Sequence, residues 1–249
     1  AAARAFAFCL EYKRTLEFRR LSAMLRLHIV SQLKHDPKWS KEPPTPESLQ
    51  VHLETRFAQL DTAASLEMWQ EAYRTVEDVH LLMLQMTKPP RAATLAAYNA
   101  QLAKVFWVAD NRLFHAYTVH RVYSVSQLLK APPAATENAT LASRAVLAAL
   151  SIPLTSAVVD VNLLEYDIEH EKSKRMAQML QLPTSASRGS LLAQLRSDGT
   201  IDAATPEVRQ LVTLLEAPST HLRLAATIEP LLVSLRGVPD LAIYEAALR

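Results

Sequence analysis

W-Q-E-A-Y-R-T-V-E-D-V (Trp69–Val79) and L-F-H-A-Y-T-V-H-R-V-Y (Leu113–Tyr123) carry one pattern twice, 44 residues apart. Trp69, Ala72, Val76 and Val79 stand at offsets 0, 3, 7 and 10, and Leu113, Ala116, His120 and Tyr123 repeat them. Phe18, Leu21, Leu25 and His28 show the spacing a third time. These offsets put four side chains on one stripe of an α-helix. They also match the second helix of a tetratricopeptide-type repeat, in which a small residue lets the paired helix approach. Any amphipathic helix can produce the spacing, so the period needs a second witness. Proline supplies it. The doublets Pro43-Pro44, Pro89-Pro90 and Pro132-Pro133 are 46 and 43 residues apart. Each interval fits two helices and a turn, and a helix interior tolerates proline poorly.

Composition agrees. Only 3 of 249 residues are glycine, far below the usual ~7%, and sheets, tight hairpins and phosphate loops lean on glycine. Hydrophobic residues make up 49% and charged residues 21%, enough to bury a core and too apolar for disorder. The expected fold is all-α, a right-handed solenoid of antiparallel helix pairs of tetratricopeptide or HEAT type. Helices are predicted at 2–14, 16–35, 46–65, 67–87, 92–109, 111–130, 136–151, 156–171, 173–182, 187–197, 206–216, 219–236 and 239–248. Thr45-Pro46-Glu47 and Thr205-Pro206-Glu207 each supply a capping hydroxyl, a first-turn proline and a first-turn acid. Asp110 or Asn111 is expected to end one helix and cap the next. Trp69 and Trp107 should be buried between helices.

Several chemistries find no support. The chain has no G-x-x-x-x-G-K-[ST], G-x-G-x-x-G or G-x-S-x-G, so no nucleotide loop or nucleophile elbow is readable. The single cysteine, Cys9, excludes an internal disulfide and a multi-cysteine zinc site, and suits a reducing, cytoplasmic setting. The charge-free run from Ala145 to Val159 is too short to span a bilayer. Glu77-x-x-His80 has the spacing of a di-iron ligand pair, and Asp167-x-x-His170 is a looser copy. Either would need inward-facing partners on further helices. Chance pairing in a helical chain with eight histidines is the better reading, and a bundle metalloenzyme is the weakest functional alternative. No catalytic residue, metal or cofactor is expected. Trp69, Phe106 and Trp107 are read as core rather than a base-stacking platform. His120 is expected to be packed and His115 partly exposed.

Longer runs carry a resemblance. H-L-E-T-R-F-A-Q-L-D (His52–Asp61), M-W-Q-E-A-Y-R-T-V-E-D-V-H (Met68–His80), K-V-F-W (Lys104–Trp107), L-F-H-A (Leu113–Ala116) and L-A-A-L-S-I-P (Leu147–Pro153) resemble the family of the largest, scaffold subunit of eukaryotic translation initiation factor three. F-C-L-E-Y (Phe8–Tyr12) and E-F-R-R-L (Glu17–Leu21) are similar too. The resemblance implies a non-catalytic scaffold. On it, residues 1–133 form a helical-repeat arm and residues 134–249 the helical part of a PCI module, whose winged helix is not readable. The implied partners are other subunits of the factor, notably PCI-containing ones, the small ribosomal subunit (protein and rRNA), and mRNA, with no membrane. A helical adaptor of another PCI complex, of proteasome-lid or signalosome type, is the alternative. The chain begins without Met and directly in helical pattern, as expected of a piece of something longer.

Charge marks one end. Residues 1–41 hold nine Lys/Arg against three acids, leaving 18 basic against 22 acidic residues for the remainder. Phe18, Leu21, Leu25 and Ile29 form the apolar face of the helix from Leu16. Arg19 and Arg26 are seven apart, on a flank, and no acid sits at i+3 or i+4 to neutralise either. Arg20 projects from the far side, and Lys13 and Arg14 precede at the helix boundary. Lys13, Arg14, Arg19, Arg20 and Arg26 are the candidate contacts with RNA or an acidic partner. A solvated face, or pairing with acids on an adjoining helix, is the open alternative.

Overall fold

The computed structural model describes residues 2–33, 45–86, 90–129, 133–153, 174, 176–178, 180, 182, 186–216 and 221–248, without the side chains of 221–226. Every regular element among them is a helix. The chain divides into two compact units, Ala1–Thr94 and Leu95–Arg249. The first contains α1 (Ala2–Glu11), α2 (Thr15–Leu33), α3 (Pro46–Ser65) and α4 (Trp69–Gln85). α5 (Ala92–Val108) begins at its end and runs into the second. There follow α6 (Arg112–Ser126), α7 (Ala135–Leu150), α8 (Arg188–Ser197), α9 (Thr200–Ala203), α10 (Pro206–Glu216), α11 (His221–Leu235), α12 (Pro239–Ala242) and α13 (Glu245–Leu248). The predicted helix at 156–171 and most of that at 173–182 lie outside the described residues, as do Pro43, Pro44, Pro89 and Pro132. Pro90 and Pro133 both sit between helices.

The turns show how the chain reverses with so little glycine. Lys13, Glu67 and Asp110 take left-handed backbone, with φ of 49°, 56° and 53°. Each follows a helix end. Arg14 N–H returns to the Cys9 carbonyl at 2.9 Å, Met68 N–H to Ala63 at 2.8 Å, and Asn111 N–H to Phe106 at 3.0 Å. This is the helix-terminating arrangement in which glycine is usually found. It shortens the predicted 2–14 helix to end at Glu11 and delays the predicted 67–87 helix to Trp69. The next helix is then capped from the same turn: Asn111 Oδ1 accepts from Phe114 N–H at 3.2 Å. Thr45 caps α3 by accepting from Ser48 N–H at 3.3 Å, with Pro46 in the first position.

In the first unit α3 and α4, joined by the turn at 66–68, form the tightest pair. The stripe Ala72, Val76 and Val79 is at most 1% exposed. Leu49, Leu53, Leu60 and Ala63 are buried on α3. Trp69 is only half-buried, contrary to expectation, because it opens α4 at the turn rather than lying mid-helix. α1 lies on α3, and its Phe6 meets Phe18 of α2 at 5.8 Å between ring centroids.

The second unit is organised around α7. Ala142, Ala145, Val146, Leu147, Ala148 and Ala149 are all fully buried, so the C-terminal half of α7 is enclosed by its neighbours, while Thr136 and Glu137 at its start are exposed. It meets α6, α8, α9, α10 and α12. Small side chains let those neighbours come close, and Ser143 fastens one of them by accepting from Thr205 N–H at 2.8 Å. The compact unit containing α7 begins at Leu95, and within it α6 and α7 share one core. The stripe of α6 points into it: Ala116, His120 and Tyr123 are buried and Leu113 is half-buried.

His115 departs from expectation. It is 1% exposed, not partly exposed. Its Nδ1 faces the Ala103 carbonyl at 2.8 Å, which can only accept, so Nδ1 donates and Nε2 accepts from the Tyr244 hydroxyl at 2.8 Å. Trp107 lies against both rings, at 4.9 Å and 5.3 Å. Trp107 itself is half-buried, and the Arg112 guanidinium at the start of α6 lies over its ring at 3.9 Å. The predicted helix at 239–248 is interrupted at Ile243-Tyr244, and the interruption turns Tyr244 inward.

Two outcomes follow from this architecture. Glu67→Gly relieves a strained left-handed position, and chemical denaturation should show a gain of about 0.5–1 kcal/mol. Burial holds the His115 imidazole down to about 4, against the favourable Ala103 bond and with the repulsion of Arg144 and Arg112. The unfolded chain takes up that proton near its ordinary 6.5, whereas the folded chain resists until about 4. Stability is therefore full above pH ~6.5 and is lost as pH falls toward 4, by up to about 3 kcal/mol from this group. His52 and His120, also lowered chiefly by burial, add in the same direction. Denaturation midpoints against pH should show the decline, and His115→Gln should flatten it.

Candidate interaction surface

The basic N-terminal segment is positioned by a short turn. α1 closes at Glu11, Lys13 turns the chain, and α2 starts at Thr15. Phe18 and Ile29 are buried, and Leu21 and Leu25 are half-buried, so the predicted apolar face is the one that packs. His28, fourth in the third stripe, is exposed and leans on His52 of α3 at 5.7 Å. Lys13, Arg14, Arg19 and Arg20 are exposed.

Arg26 behaves differently. Its Nε donates to the Asp78 carboxylate of α4 at 3.1 Å, so it is held inside the unit and not left for another surface. The acid missing at i+3 and i+4 is supplied 52 residues away. Asp78 also lies 3.6 Å from Nη1 of Arg56, whose side chain is 1% exposed. Arg56 Nη1 donates to Gln59 Oε1, Gln59 Nε2 donates to Thr75 Oγ1 at 3.0 Å, and Thr75 donates to the Glu71 carbonyl at 2.7 Å. One carboxylate thus joins α2, α3 and α4 through two guanidinium groups. Burial lowers the Arg56 pKa and Asp78 pulls it back up, which keeps the buried cation charged.

Other sequence candidates are placed as follows. Glu77 and His80 are both half-buried on α4. No group of three or more histidine, cysteine or acidic side chains able to hold a metal occurs among the described residues. Asp167 and His170 lie outside them. Phe106 is 1% exposed and packs on Phe114 at 5.8 Å, a core role. Among the described residues no helix is long and apolar enough to cross a membrane.

What sequence reasoning missed is on the outer side of α2. Leu16, Met24, Leu27 and Val30 are 64%, 64%, 71% and 38% exposed. The signal was present, because Leu16, Ala23, Leu27 and Val30 recur at i, i+7, i+11 and i+14, a second apolar stripe opposite the first.

Comparison with known proteins places this architecture. A family model described as eIF3a, PCI domain, TPR-like region, matches residues 1–223. The chain belongs to the eIF3a family. It is 38% identical over 240 residues to the eIF3a protein of eukaryotic translation initiation factor 3 from Nicotiana tabacum, covering 93% of this chain and 25% of that protein. It is also 38% identical over 242 residues to the Homo sapiens eIF3a protein, covering 96% and 18%. The Mycosarcoma maydis eIF3a protein is 35% identical over 255 residues, covering 98% and 25%. The chain therefore spans a quarter or less of the length of these eIF3a relatives. The eIF3a family model takes in α1 to α10 and ends within α11, so His115 lies inside the match and its partner Tyr244 beyond it.

The Asp78 cluster yields a sharp test. Asp78→Ala leaves a fully buried arginine without its counter-charge and should cost about 3–5 kcal/mol in chemical denaturation. Arg26→Ala, which removes the more exposed partner, should cost less than half as much.

Proposed function

We propose that this chain is a non-catalytic scaffold segment of translation initiation factor three, the assembly for which its relatives are named. It assembles the factor with other subunits, notably PCI-containing ones, and binds the small ribosomal subunit during initiation in the cytoplasm. The match of the family model over residues 1–223 carries this reading. The structure supports it chemically: α-helical faces and a basic end are surfaces for binding macromolecules. The alternative of a proteasome-lid or signalosome adaptor is not favoured, since the relatives above are all named for the initiation factor.

Residues 1–133 as helical-repeat arm and 134–249 as the helical part of a PCI module belong to the same proposal. Lys13, Arg14, Arg19 and Arg20 form its contact face, without Arg26, which is spent on Asp78. Exposed charges act over about 8–10 Å at physiological salt, so a contact made through them weakens as salt rises.

The full-length protein should co-purify in stoichiometric amounts with other subunits of the factor and co-sediment with small ribosomal subunits. Reversing Arg19 and Arg20 to Glu should weaken one of those associations at low salt, and the difference from wild type should shrink as salt is raised. A full-length protein that joins neither assembly would overturn the scaffold reading.

A further inference from the structure

α2 has two apolar faces. Phe18 and Ile29 are buried on the inner one. On the outer one Leu16, Ala23, Leu27 and Val30 lie along a single stripe, with Met24 beside Leu27. Leu27 at 71% exposure and Leu16 and Met24 at 64% are not isolated surface leucines of the ordinary kind. They run along most of a 19-residue helix, and Phe8 of α1 and Tyr12 of the adjoining turn, tilted against each other at 4.8 Å and half or more exposed, precede them. A contiguous exposed apolar strip with a polar border marks a site of association.

Its border is mainly basic. Arg20 sits on the strip itself, Arg19 flanks it, and Lys13 and Arg14 stand at its start. On α2 the acid Glu17 is the lone described counter-charge, and it lies on the flank away from Arg19. We infer that the outer face of α2 receives an amphipathic helix of another polypeptide, one with leucine-like residues along one face and acids beside them. The charge complementarity selects the acids. The aliphatic strip selects protein over RNA, because a phosphate backbone offers Leu16, Met24 and Leu27 no apolar partner, whereas a helix laid along them uses anchors at i, i+3 or i+4 and i+7. The inference deepens the scaffold reading and rests on it.

The test uses the full-length chain co-expressed with the other subunits of the factor, with subunit stoichiometry read by native mass spectrometry. L16D/L27D should reduce the occupancy of one partner protein by at least tenfold. R19E/R20E should reduce the same partner severalfold, and more at low salt than at high. Val51→Asp, at an exposed position of α3, should change nothing. Circular dichroism identical to wild type establishes that the variants fold. A wild-type chain that fails to assemble would count against the scaffold reading itself. If wild type assembles and L16D/L27D keeps every subunit, the docking face is refuted. Loss of small-subunit RNA contact with all protein subunits retained would assign the face to RNA, and loss of a second copy of the chain would assign it to self-association; each overturns the inference.

Discussion

A chain with three glycines in 249 residues has few places where the backbone can reverse, and the architecture is built around that constraint. Positive φ costs an ordinary residue roughly 1–2 kcal/mol, so each reversal has to be over-determined by what surrounds it. At Lys13, Glu67 and Asp110 the surrounding structure is a six-residue return hydrogen bond on one side and a helix start on the other. The side chains that bear the strain are charged and exposed, which keeps them solvated while the backbone bends. Helix pairs joined by two- or three-residue turns are the natural product. Longer connections carry proline instead, as at Pro90 and Pro133.

The two units solve the problem of holding helices together in opposite ways. In the second, the C-terminal half of α7 is apolar and enclosed, and its alanines admit five neighbours, so dispersion and area burial dominate. In the first, a network of charge and amide groups runs through the contact between α2, α3 and α4, centred on Asp78. Buried ion pairs seldom add net stability over a well-packed apolar substitute, since desolvation offsets most of the Coulomb gain. What they fix is register. Asp78 can satisfy Arg26 and Arg56 together only when α2 and α3 both present the right turn to α4, and that makes the angle at which α2 is carried a determined quantity.

Much of this was legible in the sequence, and the limits are physical. The stripes at Trp69–Val79 and Leu113–Tyr123 identified inward faces because local spacing alone decides them. Thr45-Pro46 and Asn111 read correctly as caps because capping is a contact three residues long. Arg26 did not, since its partner is 52 residues away and only the fold brings the two together. His115 and Tyr244, 129 residues apart, failed for the same reason, and the inward turn of Tyr244 also broke a helix that the pattern continued. α9, four residues long, is too short to show any period. The relation of the basic segment to partners was open in the sequence because an exposed arginine and a paired one look alike there.

That difference between Arg19 and Arg26 bears on how the protein works. A surface meant for solvent alone has no need of a helix with apolar residues on both sides, since burying one face already secures it against α1 and α4. The C-terminal half of α7 shows what the chain does with an apolar segment that it covers for itself: neighbours surround it. α2 has neighbours on one side only among the described residues, and its other side combines leucines at 64–71% exposure with arginines that have no protein partner among those residues to neutralise them. Leaving such side chains in water forgoes about 25 cal/mol for each Å² that an occupant would cover. The network at Asp78 holds this face at a fixed orientation, so an approaching helix meets a preformed strip and loses less ordering entropy on binding. Rigid presentation of a mainly basic-bordered apolar face is what the docking inference asks of α2, and the Asp78 network supplies the rigidity.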